Sequence, residues 1–331
     1  KYILTSTFAS LIVLIGISLL NTFYSDTLLQ IFIETLQLYI EIIFSKIKQL
    51  FPNDFSFGWF LFTIGWSVKV GMSPFHIWLP EIYRELSILS LIYIAGIPGL
   101  SLMISFSEVQ IVNASTVFMK NKISIINLVG ILSIVSGTLG IVKEQILKSF
   151  FVYSALYHFG LILLCILLCE DTSSDFILSY FYLYALLNII SWCSNLLLEE
   201  LKDPSKQNIT YIEEIKSIIK KETFVTILFL LTVFNLAGLP PGLIFIIKFG
   251  ILEELFTTNA ISLIMLILIT SVIGIFSYLQ IIQRALINLR FKQAPIRLLI
   301  DWLIIVMSLC NVTYFICWPG SITILITSIH Q

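Results

Sequence analysis

Residues 68–80 read VKVGMSPFHIWLP and directly follow the apolar run from Trp59 to Trp66. Lys69, Pro74, His76 and Pro80 therefore crowd the edge of a segment apolar enough for lipid. An ionisable group at mid-bilayer costs on the order of 2.5–3.5 kcal/mol on insertion scales, so it usually faces a bundle interior and has a function there. Prolines remove backbone donors and interrupt a helix, freeing carbonyls that need other partners. A broken helix with a charge beside the break is an arrangement that transporters use for ion sites. In the competing reading, Lys69 snorkels through the break at Pro74 to an interface.

A second instance lies at residues 235–249, NLAGLPPGLIFIIKF, where Leu239-Pro240-Pro241-Gly242 splits a long apolar span and Lys248 follows in its second half. The lysine precedes the break in the first instance and follows it in the second, as two oppositely oriented repeats would present it. Between them, the apolar span 148–169 carries Tyr153, Ser154, Tyr157 and His158. Ser154 and His158 are four apart and share a helix face, which puts a hydroxyl and an imidazole where they can relay protons through ordered water. A single histidine in an apolar helix also serves as a hydrogen-bonded packing residue, and the same two readings stand for His76.

The whole chain fits this membrane setting. Of its 331 residues, 58% are hydrophobic and 12% charged, and the mean hydropathy is +1.00. These values lie far from those of a soluble domain. Apolar windows long enough to cross a bilayer fall near residues 2–21, 56–73, 87–106, 123–142, 148–169, 176–198, 223–256 with its interruption, 259–283 and 300–328. The expected fold is all-α, a polytopic transmembrane helix bundle with two discontinuous, proline-broken helices. It forms one membrane domain: a first transmembrane helix over 1–22, an amphipathic connecting segment over 23–55, helices with the first break over 56–142, and helices with the second break over 143–331. Within 27–44, Gln30, Glu34, Gln37 and Glu41 share one face of an otherwise apolar stretch. That pattern suits a helix lying at the interface or against a partner, and a crossing that uses Glu34 stands as the alternative.

Loop charges set the orientation. The 143–148 connection carries Lys143 and Lys148 against Glu144, and 284–298 carries Arg284, Arg290, Lys292 and Arg297 without an acid, whereas 170–175 carries Glu170, Asp171 and Asp175. By the positive-inside rule the first two connections share the inner side, which would be the matrix in a mitochondrion. A net charge of −1 offers no basic face for nucleic acid. The five cysteines form no C-x-x-C pair, and packing is the simplest role even for Cys165 and Cys169, four apart on one face. No redox cofactor, metal, phosphate loop or catalytic triad is indicated within the chain. The first apolar run lacks a cleavage-type ending, so no removable signal peptide is expected.

Three segments together carry a family resemblance. VKVGMSPFHIWLPEIY is similar to the K-hydrophobic-G-x-x-PFHxWxPxxY signature of subunit 2 of mitochondrial NADH:ubiquinone oxidoreductase, respiratory complex I, and of its bacterial counterpart, subunit N. ILKSFFVYSALYHFGLIL resembles the LKRxxAYSSIxHxGY segment of that family, and LAGLPPGLIFIIKF its LAGxPPxxGFxxKF. Order and spacing agree over nearly the whole chain. PFHxWxP also occurs in the related antiporter-like subunits 4 and 5, but the tyrosine after Pro-Glu and the LAGLPP segment favour subunit 2.

The resemblance implies an antiporter-like core subunit of the membrane arm, coupling electron transfer in other subunits to proton translocation across the mitochondrial inner membrane. Lys69 and Lys248 match the lysines of the two broken helices, and His158 the histidine of the connecting helix, all on a mid-membrane chain of polar groups and water. Ser154, Tyr157, His76 and Glu34 are further candidates. NADH, flavin, iron-sulfur clusters and ubiquinone would be held by other subunits, and the partners would be other membrane-arm subunits and the lipid bilayer.

Two departures qualify this. The family carries another lysine on the helix after PFHxW, where Gly99 stands in this chain, preceded by Pro98. That leaves a structural scaffold without its own complete proton path as an alternative, beside a free-standing cation/proton antiporter. The opening KYILTSTFASLIVLIGISLL resembles the sixth helix of the family. A separate chain is then expected to supply the preceding helices, including the one with the membrane glutamate. A second alignment makes residues 1–20 the fourth helix and Glu34 that glutamate, at the expense of a helix before Lys69.

Overall fold

The computed structural model describes residues 2–21, 54–95, 101–102, 123–168, 174–200, 223–240, 242–257 and 260–287. Helices α1 (Tyr2–Asn21), α2 (Asp54–Val70), α3 (Trp78–Glu85), α4 (Ile123–Lys143), α5 (Leu147–Leu168), α6 (Ser174–Glu200), α7 (Thr223–Ala237), α8 (Leu243–Thr257) and α9 (Ile261–Ile287) follow one another. The described residues contain no strand. The chain is a multi-pass membrane protein, and the expected all-α bundle with two discontinuous helices is what it forms.

Apolar sequence makes helices here because lipid offers backbone groups no partner, so each segment must satisfy its own. Windows at Ile126–Lys143, Leu147–Cys165 and Ile261–Arg284 are long and apolar enough to cross alone. Hydroxyls inside the spans hide their polarity by bonding carbonyls of the preceding turn: Ser67 to Ile64 at 2.8 Å, Ser133 to Val129 at 2.7 Å, and Thr270 to Leu266 at 2.8 Å.

Helix α5 is the hub of the bundle. Its spanning window is 89% buried within the protein, against 28% for that of α9, so α5 is enclosed while α9 turns most of its surface outward. Helices α3, α4, α6 and α8 pack on α5; α1 pairs with α2; α7 lies against α6 and α9. Glycines let α4 approach α5 closely: a Cβ at Gly137 would lie 2.7 Å from the Tyr157 amide nitrogen, and one at Gly160 2.9 Å from the Ile134 amide nitrogen.

Both interruptions fall where glycine adopts a left-handed conformation, Gly71 at φ 80° and Gly238 at φ 70°. At the first, the amides of Gly71 and Met72 both return to the Ser67 carbonyl, at 3.0 and 2.8 Å, the bonding that closes a helix at a glycine. The interruption then runs over residues 71–77, includes the cis Ser73–Pro74 peptide bond, and is tied to α4 where the Ser73 amide donates to Ser133 Oγ at 3.1 Å. At the second, the Gly238 amide donates to the Asn235 carbonyl at 3.0 Å and Gly242 to the Leu239 carbonyl at 2.6 Å.

Pro80 corrects the sequence reading. It was expected at a break, but it sits buried in the first turn of α3. Amides of a first helical turn have no partner within the helix, so a missing one there interrupts nothing. Pro240 does lie in the second interruption. Pro241, Gly99, Glu34, most of the 23–55 segment and the span at 300–328 fall outside the described residues.

Candidate functional site

The second broken helix and α5 build one enclosed polar centre. Lys248 lies in the second turn of α8 and is only 7% exposed. Its amine reaches back across the interruption to donate to the Ala237 carbonyl at 3.4 Å, at the end of α7 where aligned peptide dipoles leave partial negative charge. The same amine stands 4.9 Å from the centre of the Tyr157 ring, whose face attracts a cation. Gly238 makes this seat possible, since a Cβ there would lie 2.9 Å from Lys248 Nζ. The glycine thus serves the turn and clears the space for the amine.

His158 follows Tyr157 on α5 and is fully buried. From Leu147 it lies about 16 Å along the helix at 1.5 Å per residue, near the middle of a hydrocarbon core about 30 Å thick. Its Nδ1 shares a hydrogen bond with the Tyr180 hydroxyl at 3.0 Å, and the Tyr184 ring lies 5.1 Å away. His158 lies against the Leu236 backbone and the Tyr157 hydroxyl against the Thr270 side chain, but neither His158 Nε2 nor the Tyr157 hydroxyl completes a well-formed hydrogen bond among the described residues. Buried polar atoms in that state call for ordered water or a partner that arrives with function. One turn earlier, Ser154 accepts a hydrogen bond from the Tyr278 hydroxyl of α9 at 2.6 Å.

Around the first interruption the surroundings differ. Lys69 occupies the last turn of α2, half-buried, with no hydrogen bond, ion pair or ring contact to another described residue. His76 is half-buried inside the interruption and meets the Tyr153 ring edge-on at 6.1 Å. Beyond it, Arg84 Nη2 donates to both oxygens of Glu144 at 2.8 Å and Nε to Ser149 Oγ at 2.6 Å. Lys148, 3% exposed, donates to the Leu86 carbonyl at 3.0 Å. These bonds fasten the end of α3 to Glu144 and to the first turn of α5.

Lys248, Tyr157 and His158 are therefore brought together, with Ser154 one turn away, whereas Lys69 and His76 stand at the other interruption. Sequence reasoning missed Tyr180, Tyr278 and Arg84. A tyrosine in an apolar helix looks like any other aromatic packing residue until the helix facing it is known. Among the described residues no group of three or more His, Cys, Asp or Glu side chains is placed to hold a metal.

Comparison with known proteins agrees with this architecture. Residues 1–274 match the family model described as NADH:quinone oxidoreductase/Mrp antiporter, TM. The NADH-quinone oxidoreductase subunit N 1 of Thermodesulfovibrio yellowstonii is 24% identical over 286 residues, 86% of this chain and 57% of that protein. The chain thus spans little more than half the length of this relative. In structure it resembles a chain of the membrane-bound sulfane sulfur reductase, an archaeal respiratory membrane complex, with TM-score 0.75 at 16% identity over 96% of this chain and 63% of that one. It also resembles a chain of respiratory complex I from Thermus thermophilus, with TM-score 0.68 at 19% identity over 97% of this chain and 66% of that one. At such identities the two structures speak for the fold. With the family model covering most of its length, the chain belongs to the NADH:quinone oxidoreductase/Mrp antiporter transmembrane family.

Proposed function

We propose that the chain works as a membrane-arm subunit of a proton-translocating NADH:quinone oxidoreductase, moving protons through Lys248, Tyr157 and His158 in response to electron transfer elsewhere in the complex. Lys69 would form a second station, beside the first interruption. The observation that carries this reading is the seat of the Lys248 amine, enclosed by protein, against a helix-end carbonyl and an aromatic face, with the fully buried His158 imidazole next to that aromatic residue on the hub helix. A lysine held from bulk water changes its proton occupancy when nearby charge or hydration changes, which an exposed lysine does less readily. Electron transfer in partner subunits would supply that change.

On this reading NADH, flavin, iron-sulfur clusters and quinone are held by other subunits, and the partners are other membrane-arm subunits. The mitochondrial inner membrane is the proposed location, supported by the three motifs that resemble the mitochondrial subunit; the bacterial relatives make a bacterial inner membrane the outcome to test against it. Fractionation decides between them. Mass spectrometry of chains that co-migrate in a native gel reads the partners, including any companion that carries further hydrophobic helices and a membrane glutamate.

The test of the mechanism is Lys248→Met in the assembled complex, with acidification by sealed vesicles measured against NADH oxidation. Loss of coupled proton transfer with assembly intact supports the proposal; undiminished transfer counts against it. A scaffold without a complete path is the second reading, favoured by Gly99 and by a half-buried Lys69 that has no partner among the described residues. Under that reading Lys248→Met leaves pumping intact, and disruption of helix packing lowers the yield of complex.

A further inference from the structure

Helices α5 and α9 are joined by a bond that the lysine and histidine sites do not explain. Tyr278 is 2% exposed and Ser154 1% exposed, and their hydroxyls meet at 2.6 Å across 124 residues of sequence. Most hydroxyls in these helices bond a carbonyl in their own preceding turn; this pair bonds between helices. Its position on α5 is the informative point. Ser154 shares a helix face with His158 one turn deeper and with Phe150 one turn shallower.

A cavity of about 130 Å³ opens at the shallow end, lined among others by Lys143, Glu144, Phe150, Ser277, Gln280 and Arg284. Phe150 borders the cavity and also packs edge-on against the Tyr278 ring, centroids 5.1 Å apart. Ser277, which also lines the cavity, immediately precedes Tyr278. Polar cavity, aromatic border, hydroxyl pair and buried imidazole thus follow one another down a single face of α5. Lys143 and Arg284, which line the cavity, belong by sequence to the two basic connections that the loop charges assign to the inner side. Protons pumped outward must enter from that side.

Resting on the proton-transfer reading above, we propose that Tyr278 and Ser154 form a hydroxyl relay that carries protons from the inner-side cavity to the buried centre at His158 and Lys248. A proton carried by water from the cavity past the Phe150 ring joins the Tyr278 oxygen as the proton already there passes along the hydrogen bond to Ser154. The Ser154 oxygen releases its own proton to a bridging water next on the face, which passes it toward His158 and Lys248. Rotation of the two hydroxyls restores the starting bond. No bond other than O–H and N–H changes, and bulk water supplies the proton.

Tyr278→Phe keeps the ring that packs on Phe150 and removes only the hydroxyl. In sealed vesicles holding the complete complex, this variant and Ser154→Ala should each slow NADH-driven proton transfer by about tenfold or more, somewhat below the loss typical of a proton-transferring group because water bridges part of the gap. The double variant should be no slower than either single one, because one path is broken in each case. Ser154→Thr, which keeps a hydroxyl, should recover most of the rate, and the solvent deuterium isotope effect should change in Tyr278→Phe. Packing alone would give additive losses and no rescue, and that result overturns the relay. If both variants keep the wild-type rate while Lys248→Met loses it, the relay is wrong and the proton-transfer reading survives. If Lys248→Met also keeps the rate, both fall.

Discussion

The two interruptions start from the same ingredients, an apolar helix, a left-handed glycine, prolines and one lysine, yet they treat the lysine differently. Lys69 precedes its break and ends half-buried in the last turn of α2, without a partner among the described residues. Lys248 follows its break, and its amine lies buried against the Ala237 carbonyl and the Tyr157 ring. Side chains on a helix lean toward its N-terminus. A lysine after a break therefore leans back over the loose carbonyls of the preceding half-helix, whereas one before a break leans away from them. Placement relative to the break decides which amine is enclosed.

The largest expected effect separates the lysines themselves. Lys248→Met should lower coupled proton transfer by roughly a hundredfold or more, the scale for losing a proton-transferring group, and Lys69→Met by about tenfold or less. Equal losses would break the contrast and make the two stations equivalent. The glycines sharpen it. Alanine at either Gly71 or Gly238 forces a side chain into left-handed backbone and costs about 1–3 kcal/mol. At Gly238 the new Cβ would also press on Lys248 Nζ, whereas at Gly71 its nearest neighbour is Leu79 Cδ1 at 3.0 Å. Both variants should lower the melting temperature of the purified complex, and Gly238→Ala alone should also cut coupled transfer.

Smaller effects test the framework of the first interruption. Arg84→Ala removes a partly exposed ion pair and the bond to Ser149, and should cost about 1–2 kcal/mol of stability while sparing the coupled rate. Thermal loss of assembled complex on native gels reads it. Pro80→Ala should have the least effect, about 1 kcal/mol or less, because the ring occupies a turn where no donor is needed. A collapse of α3 packing in that variant would restore Pro80 to the role of a helix breaker.

Much of this architecture was legible in the sequence, and particular residues show where legibility stopped. The helices Tyr2–Asn21, Ile123–Lys143 and Leu147–Leu168 match their apolar windows closely, because lipid leaves an apolar segment little choice but helix. Proline marked both interruptions in the sequence, although each opens in the structure at a left-handed glycine, Gly71 or Gly238. Pro80 misled because composition alone does not distinguish a proline inside a break from one in the first turn after it. Lys148 was read as a loop charge, since only the fold reveals the Leu86 carbonyl that takes its amine inward. The meeting of Lys248 with Tyr157 was not derivable from spacing. It depends on how α8 docks on α5, 91 residues away in sequence. Tyr278 was hidden for the same reason.

The enclosed amine is the foundation of the account, and chemical access tests it most directly. Intact complex in native membranes is treated with a small water-soluble amine-methylating reagent, and modification of each lysine is followed by mass spectrometry over time. Lys69 should be modified well before Lys248, which should resist until the bundle is unfolded by detergent or heat. Modification of Lys248 as fast as Lys69 in the folded complex would contradict the account.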